Sequence, residues 1–452
     1  MTPSSSPGGG PTRRAVLGGA VGALATAAFA GCGRSGAGGD GRPLEFWQFY
    51  APQSQTQPDL AAQNEWFLSA VSDWNAAHPE QVRPVFIPNF TDPSNTRLAT
   101  AFASGSGPDV FLISPGDFLR YYNGGALLDL RPYMEAEAVD DFIGEVLATR
   151  VVGDGVYALP MEVEPLVMFY SRPAWEAAGL SEGDIPTTWD AMLDVAERLT
   201  TPQQSGLVFE TTPGYFQNFT WYPWLWQGGG DVVDPRTQQA TFDSPAARQA
   251  LDLFGSAIRR GVAPRTLPAA GDVAGAFAEG YAATWQSGIW QVANFRANQP
   301  EFDFGVFTLP TPPDGVPRTV LGGWAWCVNA RGRDPDAAAR FVVETIGSTS
   351  DASVERLVQW CSVAKTDMPP RQSVDRRMRA AGVYDDPVMG FFREQALPTG
   401  RGEPRYPPVL YKAVSNAIQR VQAAGASPAE QAAEAQAAVE AFLRTYDGGS
   451  LV

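Results

Sequence analysis

Short apolar runs alternate with longer segments of helical period along most of this chain. Leu44-Glu45-Phe46-Trp47 reads as a first strand. Phe67, Ala70, Val71 and Trp74 then fall at i, i+3, i+4 and i+7, one apolar face of a helix ending at His78-Pro79. Residues 82–87 predict a second strand, and residues 98–103 a helix that Gly105-Ser106-Gly107-Pro108 stops. Val110-Phe111-Leu112-Ile113 is a continuous apolar run of the kind found in parallel strands buried on both faces. Later helices carry start signals. Thr187, with Asp190 three on, precedes Met192, Leu193 and Ala196; Ser244-Pro245 precedes Leu251, Phe254 and Ile258, which Gly261 closes. Asp334-Pro335 precedes Phe341, Val342 and Ile346, and Ser427-Pro428 with Glu430 forms a capping box before Val439, Phe442 and Leu443. Alternation of this kind predicts an α/β fold with largely parallel sheets.

One stretch breaks the alternation. Arg13-Arg14 opens an Ala/Gly-rich apolar segment that runs to Phe29, and Ala30-Gly31 stand before Cys32. That order is the n-region, h-region and small-residue cleavage site of a secretory signal, and the segment is shorter than the ~20 residues a spanning helix needs. The paired arginines resemble a twin-arginine export signal, and Ala30-Gly31-Cys32 resembles the lipobox of a bacterial lipoprotein. Residues 1–31 are therefore expected to be a signal peptide and Cys32 a lipidated N-terminus. Residues 33–42 are rich in Gly and Ser and form a linker of roughly 17 Å r.m.s. reach.

Composition narrows the body. About 410 residues follow the linker, enough for two domains. Cleavage before Cys32 removes Arg13 and Arg14 and takes the formal net charge from −16 to −18. So acidic a chain argues against a nucleic-acid partner. His78 is the only histidine, and Cys327 and Cys361 are the only cysteines after Cys32, which excludes Cys/His metal clusters. Those two cysteines are either one disulfide or two buried thiols.

The 13 tryptophans divide into two groups. Trp74 and Trp189 belong to helical core faces. Trp221, Trp224 and Trp226 precede Gly228-Gly229-Gly230, Trp285 and Trp290 flank Ser287-Gly288, and Trp324 and Trp326 follow Gly322-Gly323 on one face of a strand. Indole rings beside glycines present flat apolar faces with one donor, and suit the C–H face of a sugar ring flanked by carboxylates and amides.

From Pro43 onward the chain resembles the extracellular solute-binding proteins of ABC importers, in the maltose-binding-like branch. The matches run in order: Ser104-Gly105 to Asp109-Val110, Leu127-Leu128-Asp129-Leu130, Gly153-Asp154-Gly155-Val156-Tyr157-Ala158-Leu159-Pro160, Pro186-Thr187-Thr188-Trp189-Asp190, Ala276-Phe277 with Gly280 and Gly288-Ile289-Trp290, and Pro369-Pro370-Arg371. The resemblance implies a two-lobed type II periplasmic-binding-protein-like fold, with lobes joined by crossing strands and a ligand cleft between them. Mapped by segment, residues 43–163 with 320–362 would form the first lobe and 164–319 with 363–452 the second. Ligands in open α/β sheets sit beyond the carboxyl ends of strands. The implied ligand-binding residues are Phe49 and Tyr50, Asp117, Glu164 at the first crossing, Phe216, Asn218 and Trp221 on an aromatic loop of the second lobe, Trp290, Trp324 and Arg371.

The implied function is capture of a carbohydrate and hand-over to ABC permease subunits, by a monomer held at the membrane through Cys32, with no cofactor and no bond broken. A peptide, polyamine or betaine-type solute is the alternative within the same fold. A secreted glycoside hydrolase using Glu162 with Glu164, or Asp117 with Glu164, is the alternative from another class.

Overall fold

The computed structural model describes residues 41–50, 58–87, 96–268 and 273–451. The signal segment and Cys32 lie outside the described residues.

The strands are β1 (Leu44–Gln48), β2 (Val82–Phe86), β3 (Val110–Ile113), β4 (Val151–Val152), β5 (Gly155–Val156), β6 (Leu159–Pro160), β7 (Glu164–Ser171), β8 (Thr284–Gly288), β9 (Phe304–Phe307), β10 (Thr319–Gly322), β11 (Ala325–Val328) and β12 (Gly400–Gly402). They build two five-stranded sheets, one in the order β2-β1-β3-β11-β6 and one in the order β12-β10-β7-β8 with β9 also on β7, while β4 and β5 form a small hairpin. Among the described strands, β1–β2, β1–β3 and β10–β12 pair in parallel and the other ladders are antiparallel. The expectation of largely parallel sheets is thus corrected. A parallel pair needs a long crossover connection, and β11 instead enters the first sheet straight from β10 of the second, antiparallel to both β3 and β6.

The apolar run of β3 is buried throughout, with Val110 and Leu112 in one core and Phe111 and Ile113 in another. Side chains alternate across a strand, so an unbroken apolar run is what a sheet covered on both faces requires. The same alternation settles the cysteines. Cys327 on β11 lies in the core of Phe111, while Cys361 lies in the core of Leu112 across the sheet; both are free thiols.

The start signals place their helices within a residue. Ser244, Asp334 and Ser427 cap the helices Pro245–Arg259, Pro335–Val342 and Pro428–Leu443, and Thr188 rather than Thr187 caps Trp189–Leu199. The aromatic stretch after Gly214 is a correction. It is a helix, Tyr215–Gln227, rather than a loop, with every residue from Gln217 onward buried. A helix enclosed on all sides has no polar face and hence no 3.6-residue signature.

Three segments meet where the sheets join. The chain leaves the first sheet at residues 161–163 and returns at Gly323-Trp324. The Met161 amide donates to the Trp324 carbonyl at 3.0 Å, and Val163 and Met368 exchange backbone bonds of 2.8 and 3.2 Å. Gly323 sits at φ 120°, and a Cβ there would lie 2.4 Å from the Glu162 carbonyl oxygen. Gly323→Ala is therefore expected to cost about 3 kcal/mol from backbone strain and overlap; a urea midpoint within error of the unsubstituted protein would show that the crossing tolerates a side chain.

Candidate functional site: an aromatic cleft over a buried ion cluster

A cleft of about 290 Å³ opens at this junction. Phe49 and Tyr50, directly beyond β1, stack with ring centroids 4.6 Å apart, and Phe49 packs on Trp324 at 4.4 Å. From the other sheet's side come Phe216 and Phe219 of the Tyr215–Gln227 helix, which lie 6.1 and 6.4 Å from the Trp290 ring. Trp290 takes its place because Gly288 makes room: a Cβ on Gly288 would lie 1.8 Å from the indole. At the mouth, the Asn298 amide donates to the Asp59 carboxylate at 2.7 Å, joining the helices Trp290–Asn298 and Pro58–Ala77.

The floor is polar and buried. Lys365, Glu164, Glu403 and Tyr215 all line the cleft. The Lys365 ammonium lies 2.9 Å from Glu162 and 3.1 Å from Asp367, and makes a close hydrogen bond to Glu164. Glu162 is fully buried and further held by the Trp360 indole at 2.6 Å and the Trp324 amide at 3.2 Å. Glu162, Glu164 and Asp367 offer oxygens within 4.8 Å of one another, a set able to hold a cation. The lysine ammonium already stands among them, so the chain itself fills that place.

Desolvation dominates the electrostatics here. Burial pushes Glu164 up to about 7 against the pull of Lys365, and Glu403 up to about 8 despite the hydrogen bond from the Tyr215 hydroxyl. Burial by itself would lower Lys365, but Asp367, Glu162 and Glu164 outweigh it and raise its pKa well above the ordinary value.

Of the residues singled out in the sequence, Phe49, Tyr50, Glu164, Phe216, Trp290 and Trp324 line this cleft, whereas Asp117, Asn218, Trp221 and Arg371 do not. Asp117, in the helix Pro115–Asn123, is paired with Arg120 at 3.7 Å, and burial raises its pKa to about 6. The Asn218 amide is spent on the carbonyls of Gly214 and Tyr411 at 2.7 and 3.0 Å. Trp221, two residues past Phe219 and so on the opposite face of the helix from the cleft, is fully buried against Phe242. Arg371 is fully buried, donating to Asp141 at 2.8 Å and to the carbonyls of Ile346 and Ser348 at 3.1 and 2.8 Å. Its role is structural. Arg371→Ala is expected to lower stability by about 2–3 kcal/mol through the bonds lost by Asp141 and two carbonyls, with solute affinity unchanged by calorimetry; a large loss of affinity in a folded variant would return it to the site.

Lys365, Glu403, Tyr215 and Phe219 were missed. The one available sign for Lys365 is its rarity, since the chain has only one other lysine, Lys412. Nothing around Gly402-Glu403-Pro404 marks a binding residue.

Residues 57–344 match the family described as bacterial extracellular solute-binding protein. A protein described as an uncharacterized lipoprotein in the oleD 5′ region of Streptomyces antibioticus is 31% identical over 158 residues, 34% of each chain. A probable ABC transporter-binding protein of Deinococcus radiodurans is 29% identical over 261 residues, 53% of this chain and 58% of that one. The chain thus spans between a third and three fifths of the length of these relatives. Among solved structures, the cyclic α-maltosyl-1,6-maltose binding protein of Arthrobacter globiformis superposes with a TM-score of 0.73 at 22% identity, covering 90% of this chain and all of that one. It shares the two-lobed type II periplasmic-binding-protein fold. The family match covers well over half of the sequence, and the chain belongs to the bacterial extracellular solute-binding proteins.

Proposed function

We propose that this protein captures a carbohydrate, from mono- to oligosaccharide, in the cleft and delivers it to the permease of an ABC transporter. The observation that carries this reading is the pairing of indole and phenyl faces with a floor of carboxyls, a hydroxyl and an ammonium. Rings of that kind cover the apolar face of a pyranose while the floor bonds its hydroxyls. Contacts made from both lobes favour the closed arrangement, so the solute shifts an open–closed equilibrium that the permease reads. The relatives' descriptions as an ABC transporter-binding protein and a maltosyl-maltose binding protein support the reading.

No bond is broken in this scheme. Glu162 has no exposed surface, and Asp117 lies outside the cleft, so neither carboxyl pair considered for hydrolysis faces a solute together. The lobe limits are part of the proposal. The β10 strand belongs with β7 by pairing, and Val374 and Met378 pack in the core of β1 and β3, which favours a last crossing after the helix Gln372–Ala380 rather than at residue 363. Export by the segment containing Arg13-Arg14, and lipid on Cys32, would keep the protein near its permease; the mass of the mature N-terminus tests the anchor.

The function is tested by thermal shift over mono- and oligosaccharides, betaines and polyamines, with chromatography of each sugar afterwards. A sugar that raises the melting temperature and is recovered intact is the expected result. Turnover, or a response confined to compounds that are not sugars, would overturn it.

A further inference from the structure

The charge around the cleft does not balance. Among the described residues Glu164, Glu403 and Asp59 reach its lining, and Lys365 is the one cation that does so. That ammonium is already shared among Glu162, Glu164 and Asp367. Behind the floor stands Arg150, 1% exposed, with its guanidinium donating to the carbonyls of Gly323 and Val146 at 2.7 and 2.8 Å. The buried groups thus set four carboxyls, of Glu162, Glu164, Asp367 and Glu403, against two cations. Glu403 is 1% exposed, lines the cleft, and makes no ion pair among the described residues; its partner is the Tyr215 hydroxyl. A desolvated carboxyl without a counter-ion is costly in its charged form. A neutral solute leaves the carboxyl protonated, whereas a cationic one offsets the cost of its charged form. The aromatic walls act in the same direction, because ring faces attract a cation, Trp most of all.

Resting on the carbohydrate reading above, we propose that the solute is an amino sugar, its ring against Trp290 and Trp324 and its protonated amine beside Glu164 and Glu403. The formal net charge of −16 adds a long-range attraction for such a cation.

Proton linkage gives this a signature. Glu403 is faced by Tyr215, Arg150, Glu164 and Asp117, and Glu164 by Lys365, Glu162 and Arg150. Burial favours the protonated form of both carboxyls, so taking up an ammonium ionises them. While the free amine itself stays protonated, binding therefore releases protons below about pH 8, and affinity rises with pH by up to roughly tenfold per unit for each proton released.

The experiment is titration calorimetry at pH 6, 7 and 8 in two buffers of different ionisation heat. The amines are each matched with neutral partners: glucosamine with glucose and N-acetylglucosamine, and the glucosamine disaccharide with cellobiose, with choline and spermidine alongside. The amine is expected to bind at least tenfold more tightly than its neutral partner, with proton release, and Glu403→Gln to remove at least fivefold of that advantage. Equal affinity for amine and neutral sugars overturns the proposal and leaves the carbohydrate reading standing. Binding of choline or spermidine without any sugar overturns both. The matched pairs on the unsubstituted protein decide the matter whether or not the Glu403 variant folds.

Discussion

Lys365→Met is expected to destabilise the protein by about 3–5 kcal/mol at pH 7, the cost typical of removing one partner from a buried ionic group. The size follows from what remains. Glu162, Glu164 and Asp367 lie within 4.8 Å of one another, and all three are buried. With the ammonium gone, three carboxyl groups crowd a desolvated place at the junction of both sheets with no counter-ion among them, and methionine supplies neither charge nor donor. The pH dependence has a definite sign. Burial raises Glu164 to about 7 and raises Asp367 as well. A carboxyl with a raised folded pKa contributes its full stability below its unfolded pKa, and that contribution is lost as the pH climbs through the folded value. Lys365 opposes the loss in the unsubstituted protein. The deficit of the variant should therefore be small near pH 4 and widen steadily towards pH 7. Urea denaturation across that range measures it. A deficit that is flat with pH, or absent at pH 7, would mean that the lysine does not hold these carboxyls.

Trp290→Ala is the second large effect, and it falls on binding. The indole lies within 6.4 Å of both Phe216 and Phe219 and lines the cleft, and half-buried anchors of this kind are worth about 2–3 kcal/mol, or roughly 30- to 150-fold in affinity. Trp221→Ala supplies the contrast. That indole is fully buried in the core and packs on Phe242 at 5.7 Å, so its loss should cost about 3–5 kcal/mol of stability and leave the cleft lining intact. Calorimetry and thermal melting together separate the two. If Trp290→Ala binds the solute as tightly as the unsubstituted protein, the aromatic wall has been placed wrongly. A milder probe is Gly288→Ala, which pushes the indole aside without deleting it, since the added Cβ would lie 1.8 Å from the ring.

The contrast between these two tryptophans shows what was legible. Both belong to aromatic clusters bordered by glycines in the sequence, and both invite the same reading. Trp290 has Gly288 beneath it and opens a helix at the cleft. Trp221 lies in a helix enclosed on every side, where apolar residues recur without a period and so look like a loop. Arg371 fails for a related reason: a lone arginine in a matched motif carries no sign of whether it will meet solvent or, as here, Asp141 and two carbonyls. Lys365 was passed over because nothing local distinguishes a buried cation from a solvated one.

Local chemistry, then, determined a good deal. Periods of 2 and 3.6, proline and serine start signals, and the double coverage of Val110–Ile113 act over a few residues and can be read without a fold. They specified an α/β chain, and its two lobes followed only from the resemblance of an ordered set of motifs to a known family. The tertiary structure alone decided the site. Tyr50, Glu164, Tyr215, Lys365 and Glu403 are far apart in sequence and converge only where the two sheets join. Burial and counter-ions are properties of that convergence, and they determine which carboxyl is paired, which is left facing the cleft, and what charge a solute must bring.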